Sequence, residues 1–366
     1  MSKKIKVLFM ARKFPPSVGG MERFAFDISN ELDQLVNLRK ITWGGSNKWL
    51  PLVLPWFFFR AFWQLLTNRE IAVIHTHDGV QAPVGWLLHV LFRRPYVIVA
   101  HGLDITYKNA FYQAVVLPFV RRVDVLITIS KATRDEALKR GVKSEKIQVI
   151  PLGTHDDYGQ VRPDRKALEA AINLSLENKT LLLTTGRLVK RKGVAWFIGH
   201  VLPELVSRNQ NIIYLVAGEG AERPAIEAAI TKHQLSDHVA LLGRVSDETR
   251  SLLYQSSDIF VMPNIVVPAD MEGFGIVVNE AATAELPVVA SNIEGIVDAL
   301  ADGKNGIMVP TRDAERFIEE ITKLIDDPKY RRQFGKLARE YTLETYDWKQ
   351  IARAYLEIYE KLSRRR

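Results

Sequence analysis

The sequence contains no cysteine. That excludes disulfides and cysteine-based zinc sites, and it suits a reducing or indifferent compartment. No apolar run is both long and unbroken. The strongest, 47–66, is interrupted by Pro51 and Pro55 and carries Arg60 and Gln64, whereas a membrane span needs about 20 apolar residues in a row. The apolar part of residues 1–14 is too short for a signal peptide and reads as a first strand. The first glycine loop, PPSVGG, is not G-x-G-x-x-G, and no short-period repeat occurs. Acids are the minority charge, 42 against 50 Lys and Arg, for a net +8. An anionic partner follows: nucleotide, acidic lipid or nucleic acid. Nucleic acid has charge alone behind it, because no aromatic–basic interleaving of the RNA-binding kind is present.

What is present is a chain of 366 residues, 47% hydrophobic and 25% charged. This is ordinary for a globular protein and long enough for two cores. Short apolar runs at 5–10, 71–75, 96–100, 124–129 and 147–150 read as strands, with helical patterns between most of them. Repeated βα units give a parallel sheet with helices on both faces. A polar stretch at 154–178 reads as linker. A second series follows at 180–184, 212–217, 238–242, 258–262, 288–290 and 307–309. The rest is amphipathic helix, ending in a basic tail at 364–366. Both halves place glycine-rich loops after their strands, where open α/β sheets bind ligands.

The chain is organised around residues 271–291, MEGFGIVVNEAATAELPVVAS. Glu272 precedes a flexible turn, Gly273-Phe274-Gly275. A helix follows from about Ile276, with Glu280 about a turn inside it. A glycine turn feeding a helix N-terminus offers free backbone N–H donors and the positive end of the dipole. Acids repel phosphate, so two of them there fit a ligand that also carries hydroxyls, as a nucleotide sugar does. The same residues fit an ordinary helix start.

Three other stretches carry chemistry. GRLVKRKG at 186–193 holds four cations whose spacing does not let them all pair internally, so an anion is expected there. His101 follows a strand, where a neutral imidazole could donate to a sugar hydroxyl. His75 and His77 sit at another strand end, without further metal ligands nearby in sequence. The stretch 47–66 concentrates Trp49, Trp56, Phe59 and Trp63 beside Lys48 and Arg60. It reads as an interfacial membrane-docking segment or as a very apolar core helix.

These motifs, in their order, resemble one family. FPPSVGGMER, HGLD, GRLVKRKG, GEG, LLGRV, the E-x7-E pair Glu272/Glu280 and PVVAS together are similar to the retaining glycosyltransferases of family 4, with the GT-B fold. The resemblance spans nearly the whole chain. It implies two Rossmann-like domains, 1–160 for the acceptor and 161–345 for the donor, with 346–366 crossing back to the first. Arg187 and Lys192 would hold the donor diphosphate and stabilise it as leaving group, in place of a metal ion. Glu272 would bind hydroxyls of the transferred sugar beside the N–H groups of Gly273, Phe274 and Gly275. Glu280 would bind the ribose. Gly243, Arg244 and Val245 would edge the base, Gly19 and Gly20 would approach the phosphate, and His101 would lie against the sugar. The acceptor would attack the face that the diphosphate leaves, so no side chain is named as general base.

The resemblance further implies no cofactor, a GDP- or UDP-linked sugar as substrate, and a hexose, mannose from GDP-mannose in its lipid-directed members. The aromatic stretch and the basic charge add a lipid or lipid-linked acceptor, an anionic membrane surface and a place at the inner face of the cell membrane. A soluble sugar or sugar-phosphate acceptor, and a nucleotide-sugar-binding protein without turnover, are the alternatives. One departure stands out: after PVVAS the family's paired glycines are here Glu294-Gly295, and Asp298 stands where Glu is common.

Overall fold

The computed structural model describes residues 4–158, 165–268 and 270–364. These fall into two compact units: Met1–Gly153 with Tyr346–Arg366, and Thr154–Thr345. The division therefore lies at 153/154. The boundary expected at 160/161 and the last two arginines of the tail lie outside the described residues.

The first unit holds strands β1 (Lys6–Ala11), β2 (Asn37–Thr42), β3 (Ile71–Thr76), β4 (Tyr96–Ala100), β5 (Val125–Thr128) and β6 (Ile147–Val149). Their spatial order is β2-β1-β3-β4-β5-β6, and every pairing is parallel. The central strands are apolar along most of their length because helices cover both faces. β2 was not anticipated. It follows the first helix, Gly20–Leu35, after a single residue, and as an edge strand it buries only Leu38 and Ile41.

The second unit holds β7 (Thr180–Thr185), β8 (Ile212–Ala217), β9 (Val239–Gly243), β10 (Ile259–Met262), β11 (Val288–Ser291) and β12 (Ile307–Val309). The order is β12-β11-β10-β7-β8-β9, again all parallel. Counted within the unit, this is the 3-2-1-4-5-6 doubly wound arrangement. Its order reverses between β7 and β10, so the ligand crevice of such a sheet opens at their carboxyl ends. The stretch read as linker contains a helix, Arg165–Ile172. Leu168 is its buried anchor, and the Arg165 guanidinium reaches Asp258 at 2.6 Å.

The final helix, Trp348–Ser363, belongs to the first unit. It buries Trp348, Ile351, Ala352, Tyr355, Tyr359 and Leu362, a stripe at helical spacing. Trp348 stacks on Phe24 at 5.7 Å, and Gly153 lies flat on the same indole, where a Cβ would come within 2.3 Å. Asp347 caps the helix by accepting from the N–H groups of Lys349 and Gln350.

The aromatic stretch forms a short turn, Asn47–Trp49, and one helix, Leu50–Thr67, that runs through both prolines. Pro51 lies in the first turn, where no intrahelical donor is needed, and Pro55 removes one bond. Burial of Val53, Phe57, Ala61 and Leu65 against the unit's core holds the helix regardless. Trp49, Trp56, Phe59 and Trp63 point outward. Of its two readings, core helix and membrane-docking segment, the first describes the inner face, and the outer face leaves its aromatics exposed.

Candidate active site

In the second unit the turns after β7, β8 and β9 are stitched together. Gly186 N–H donates to the Ala217 carbonyl and Gly218 N–H to the Gly243 carbonyl. Leu188 N–H donates to the Glu219 carbonyl, and Glu222 N–H donates back to Leu188. The turns touch so closely that a Cβ on Gly218 would lie 1.8 Å from the Gly186 carbonyl oxygen. Gly218 also sits at φ 149°, a region only glycine enters freely.

Against these turns lies a cavity of about 250 Å³, lined among others by Gly186, Arg187, Arg244, Val245 and Glu280. Four of the expected donor residues are thus brought together. Arg187 and Arg244 are exposed, and among the described residues neither pairs with a carboxylate. Glu280 lies in the helix Ile276–Thr283 and accepts from Tyr254 O–H at 2.8 Å. Thr185 in turn donates to the Tyr254 oxygen at 2.7 Å. Burial, then the charge of Glu280, pushes the Tyr254 phenol far up, so it stays a neutral donor.

The basic loop departs from its sequence reading. Arg191 and Lys192 are both buried and both paired. Lys192 Nζ is 2.6 Å from Glu272 Oε2, and Arg191 reaches Asp270 at 2.8 Å and Glu272 at 3.5 Å. The partners lie about eighty residues away in sequence and arrive because β10 adjoins β7, which spacing within the loop cannot reveal. The φ of +67° at Gly193 lets the turn press on the exit of β10, where a Cβ would strike the Pro263 carbonyl at 1.9 Å.

Glu272 is buried. Burial raises its pKa, but the charges of Lys192 and Arg191, with hydrogen bonds from Lys192 and Asn264, outweigh that and hold it below the usual carboxylate value. Glu294 Oε2 accepts from the Glu272 N–H at 2.5 Å. Burial and the charge of Glu272 push Glu294 upward, against that hydrogen bond. Gly273, Phe274 and Gly275 then turn into the helix, Phe274 inside the core and Gly275 at φ 87°. Gly243 closes β9 at φ 68°. Sequence reasoning missed Arg191, Asn264, Tyr254 and Glu294 as partners. Glu294 left a signal in the departure after PVVAS and Arg191 in the basic loop; Asn264 and Tyr254 left none.

His101, Gly19 and Gly20 lie in the first unit. Gly20 opens the first helix, and Gly19 packs against the Glu22 carboxylate, which also meets Lys13 at 3.1 Å. His101 corrects the donor expectation. Its Nε2 is 2.8 Å from the His77 carbonyl, which can only accept, so Nε2 bears the proton. When neutral, the ring keeps only Nδ1, an acceptor, for any further group. His75 Nδ1 is bonded to Tyr359 O–H at 2.6 Å, and Asp78 pairs with Arg12 at 2.8 Å. The strand-end histidine and acid are therefore engaged by protein partners.

Residues 37–158 match the model described as Glycosyltransferase Family 4, and residues 166–341 that described as Glycosyl transferases group 1. The chain is a glycosyltransferase of the GT-B type. This glycosyltransferase is 27% identical to alpha-maltose-1-phosphate synthase of Mycolicibacterium smegmatis, over 98% of the chain and 100% of that protein. It is 25% identical to the GDP-mannose-dependent alpha-(1-6)-phosphatidylinositol monomannoside mannosyltransferase of the same organism, over 94% and 95%. Its fold matches the crystal structure of Anabaena HepE in complex with UDP at a TM-score of 0.75, with 19% identity and coverage of 97% and 100%.

Proposed function

We propose that this glycosyltransferase moves a hexose, with retention of configuration and without a metal ion, from a nucleotide sugar to a membrane-lipid or lipid-linked acceptor. The observation that carries the reading is the cavity where Arg187 and Arg244 face Glu280 without carboxylate partners. Two free guanidiniums suit a diphosphate, and a carboxylate that only accepts suits ribose hydroxyls. The Lys192 side chain runs beside the same turn, its Cε 3.8 Å from where a Gly186 Cβ would be. An ammonium has three donors, so Lys192 can hold Glu272 and a phosphate oxygen together. Glu272 would take hydroxyls of the sugar, beside the N–H groups of Gly273, Phe274 and Gly275. Gly243 and Val245 would edge the base.

In the step itself the bond from the anomeric carbon to the diphosphate oxygen breaks. The acceptor oxygen bonds to that carbon from the same face, and its proton passes to the departing phosphate oxygen. Charge develops on the diphosphate, and Arg187 and Lys192 stabilise it there. No further cofactor is required. The UDP of the HepE complex supports a nucleotide in such a fold. The phosphatidylinositol mannoside relative supports mannose from GDP-mannose and a lipid acceptor. The exposed Trp49, Trp56, Phe59 and Trp63 would meet such an acceptor from a peripheral place at the inner face of the membrane. The maltose-1-phosphate synthase relative supports the second reading, a soluble sugar-phosphate acceptor.

The test is binding and hydrolysis across UDP-, GDP- and ADP-sugars. Saturable binding of one of them, lost in Arg187→Ala, is the expected result. Binding of none removes the reading.

A further inference from the structure

We infer that two helices of the first unit, Leu50–Thr67 and Ala82–Phe92, form one platform that rests on an anionic lipid bilayer. This deepens the lipid-acceptor reading, and it rests on that reading for the purpose of the contact. Its observations stand apart from the donor site.

The first observation is an apolar surface on two adjacent elements. In the first helix Leu52, Trp56, Phe59, Trp63 and Leu66 are 41–67% exposed and recur every three or four residues. The second helix packs on the first, with Phe62 and Phe92 rings 5.2 Å apart. It exposes its own stripe, Leu87, Val90 and Leu91, at 41–53%. A soluble surface scatters exposed hydrophobics singly, so two neighbouring stripes mark an interaction face.

The second observation is charge. Between residues 33 and 124 the chain has ten Lys and Arg and five acids, of which Asp33 pairs with Lys40 and Asp124 lies 3.5 Å from His89. Asp78 and Asp104 are buried, and Glu70 pairs with Lys6. No free acid remains there to balance the cations. Lys48, at the entry of the first helix, and Arg93, at the exit of the second, are exposed without a carboxylate partner among the described residues. So is Arg60, which lies 5.9 Å over the Trp56 ring. A protein interface is ringed by a polar, hydrogen-bonding rim. Indoles beside unpaired cations around an aliphatic stripe instead match the headgroup region of an anionic leaflet.

The helix is long and apolar enough to cross a membrane, but its inner stripe decides otherwise. Val53, Phe57, Ala61 and Leu65 are built into the unit's core, at most 7% exposed. Withdrawing them would open that core, so the helix lies in the interface and does not span it. Apolar insertion and cationic attraction are two separate signals, and stable anchoring takes two.

The experiment is co-sedimentation of the full chain with phosphatidylcholine vesicles, plain or doped with phosphatidylglycerol. The native chain is expected to bind the doped vesicles at least about tenfold more tightly, since each cation near an anionic surface is worth about fivefold. Trp56→Ser with Phe59→Ser should weaken binding by about tenfold or more. Leu87→Ser with Leu91→Ser should weaken it several-fold, an effect that docking by the first helix alone would not produce. Arg60→Glu with Arg93→Glu should abolish the preference for phosphatidylglycerol. Thermal unfolding should be unchanged, because all of these side chains are exposed. The inference is overturned if the native chain ignores doped vesicles, or if the Leu87/Leu91 pair leaves binding intact. It is equally overturned if the native chain is a dimer that the Trp56/Phe59 pair makes monomeric. Nucleotide-sugar titration of the same samples without lipid separates the two readings. Intact donor binding with absent lipid binding removes the platform and leaves the transferase.

Discussion

The two units build the same kind of edge and fill it with opposite chemistry. At the carboxyl ends of β7 and β10, the second unit holds ions: Lys192 on Glu272, Arg191 on Asp270, and Arg187 free. At the carboxyl ends of β3 and β4, the first unit holds mostly rings, beside one buried ion pair, Arg12 with Asp78. His75, His77 and His101 lie among Phe9, Phe24 and Tyr359, with ring centroids 4.7–6.0 Å apart. Burial, then the charge of His101, pushes His75 down to about 3 and His77 well below its usual value. Those two rings therefore stay neutral at physiological pH, while Glu272 stays ionised. The difference teaches a division of labour. An ionic edge suits a ligand whose charge changes in the reaction, whereas the first unit's edge keeps His75 and His77 uncharged.

The sharpest way to break this contrast is Lys192→Met. If the ionic edge serves the leaving group, turnover falls about a thousandfold while the fold persists, since Arg191 still pairs with Glu272. Turnover within about tenfold of the native rate would make that edge structural only. Acid gives the next largest effect. Unfolded histidines bind protons below about 6.5, but folded His75 does not until about 3. Its contribution is complete above 6.5 and is lost as pH falls from there toward 3. Each such histidine lowers the folding equilibrium about tenfold per pH unit. Glu272, held below its usual value, yields only at lower pH. Amide protection in β3 and β4 should therefore fall before that in β7 and β8. A simultaneous fall would erase the distinction. Smaller again is Tyr359→Phe, which strips His75 Nδ1 of its buried partner. It should cost about 1–3 kcal/mol by urea unfolding.

Much of the second unit was legible because its chemistry is local. Strand, glycine turn and helix follow one another within a few residues, so Glu272, Glu280 and the 273–275 turn could be named from spacing. What spacing could not show was pairing across the sheet. Arg191 and Lys192 look like free cations in the loop, and they lose that freedom only when β10 brings Asp270 and Glu272 alongside. In the first unit β2 escaped because an edge strand with two buried residues carries half a pattern. The aromatic helix resisted a single reading because its two faces obey different rules: a buried stripe every fourth residue, and an exposed one interleaved with it.

Glu280→Gln is the smallest change and the most selective. It keeps an acceptor for the Tyr254 hydroxyl, which needs a partner because it is buried with its pKa pushed far up. The fold should therefore hold. What goes is one negative charge and its strength as an acceptor toward a hydroxyl, worth about tenfold. If Glu280 holds the ribose, that loss is felt alike in ground and transition states. KM for the donor should rise about tenfold with kcat nearly unchanged. A drop in kcat with KM unmoved would instead place Glu280 at the reacting sugar. The ionic edge would then reach further along the cavity than the contrast between the two units allows.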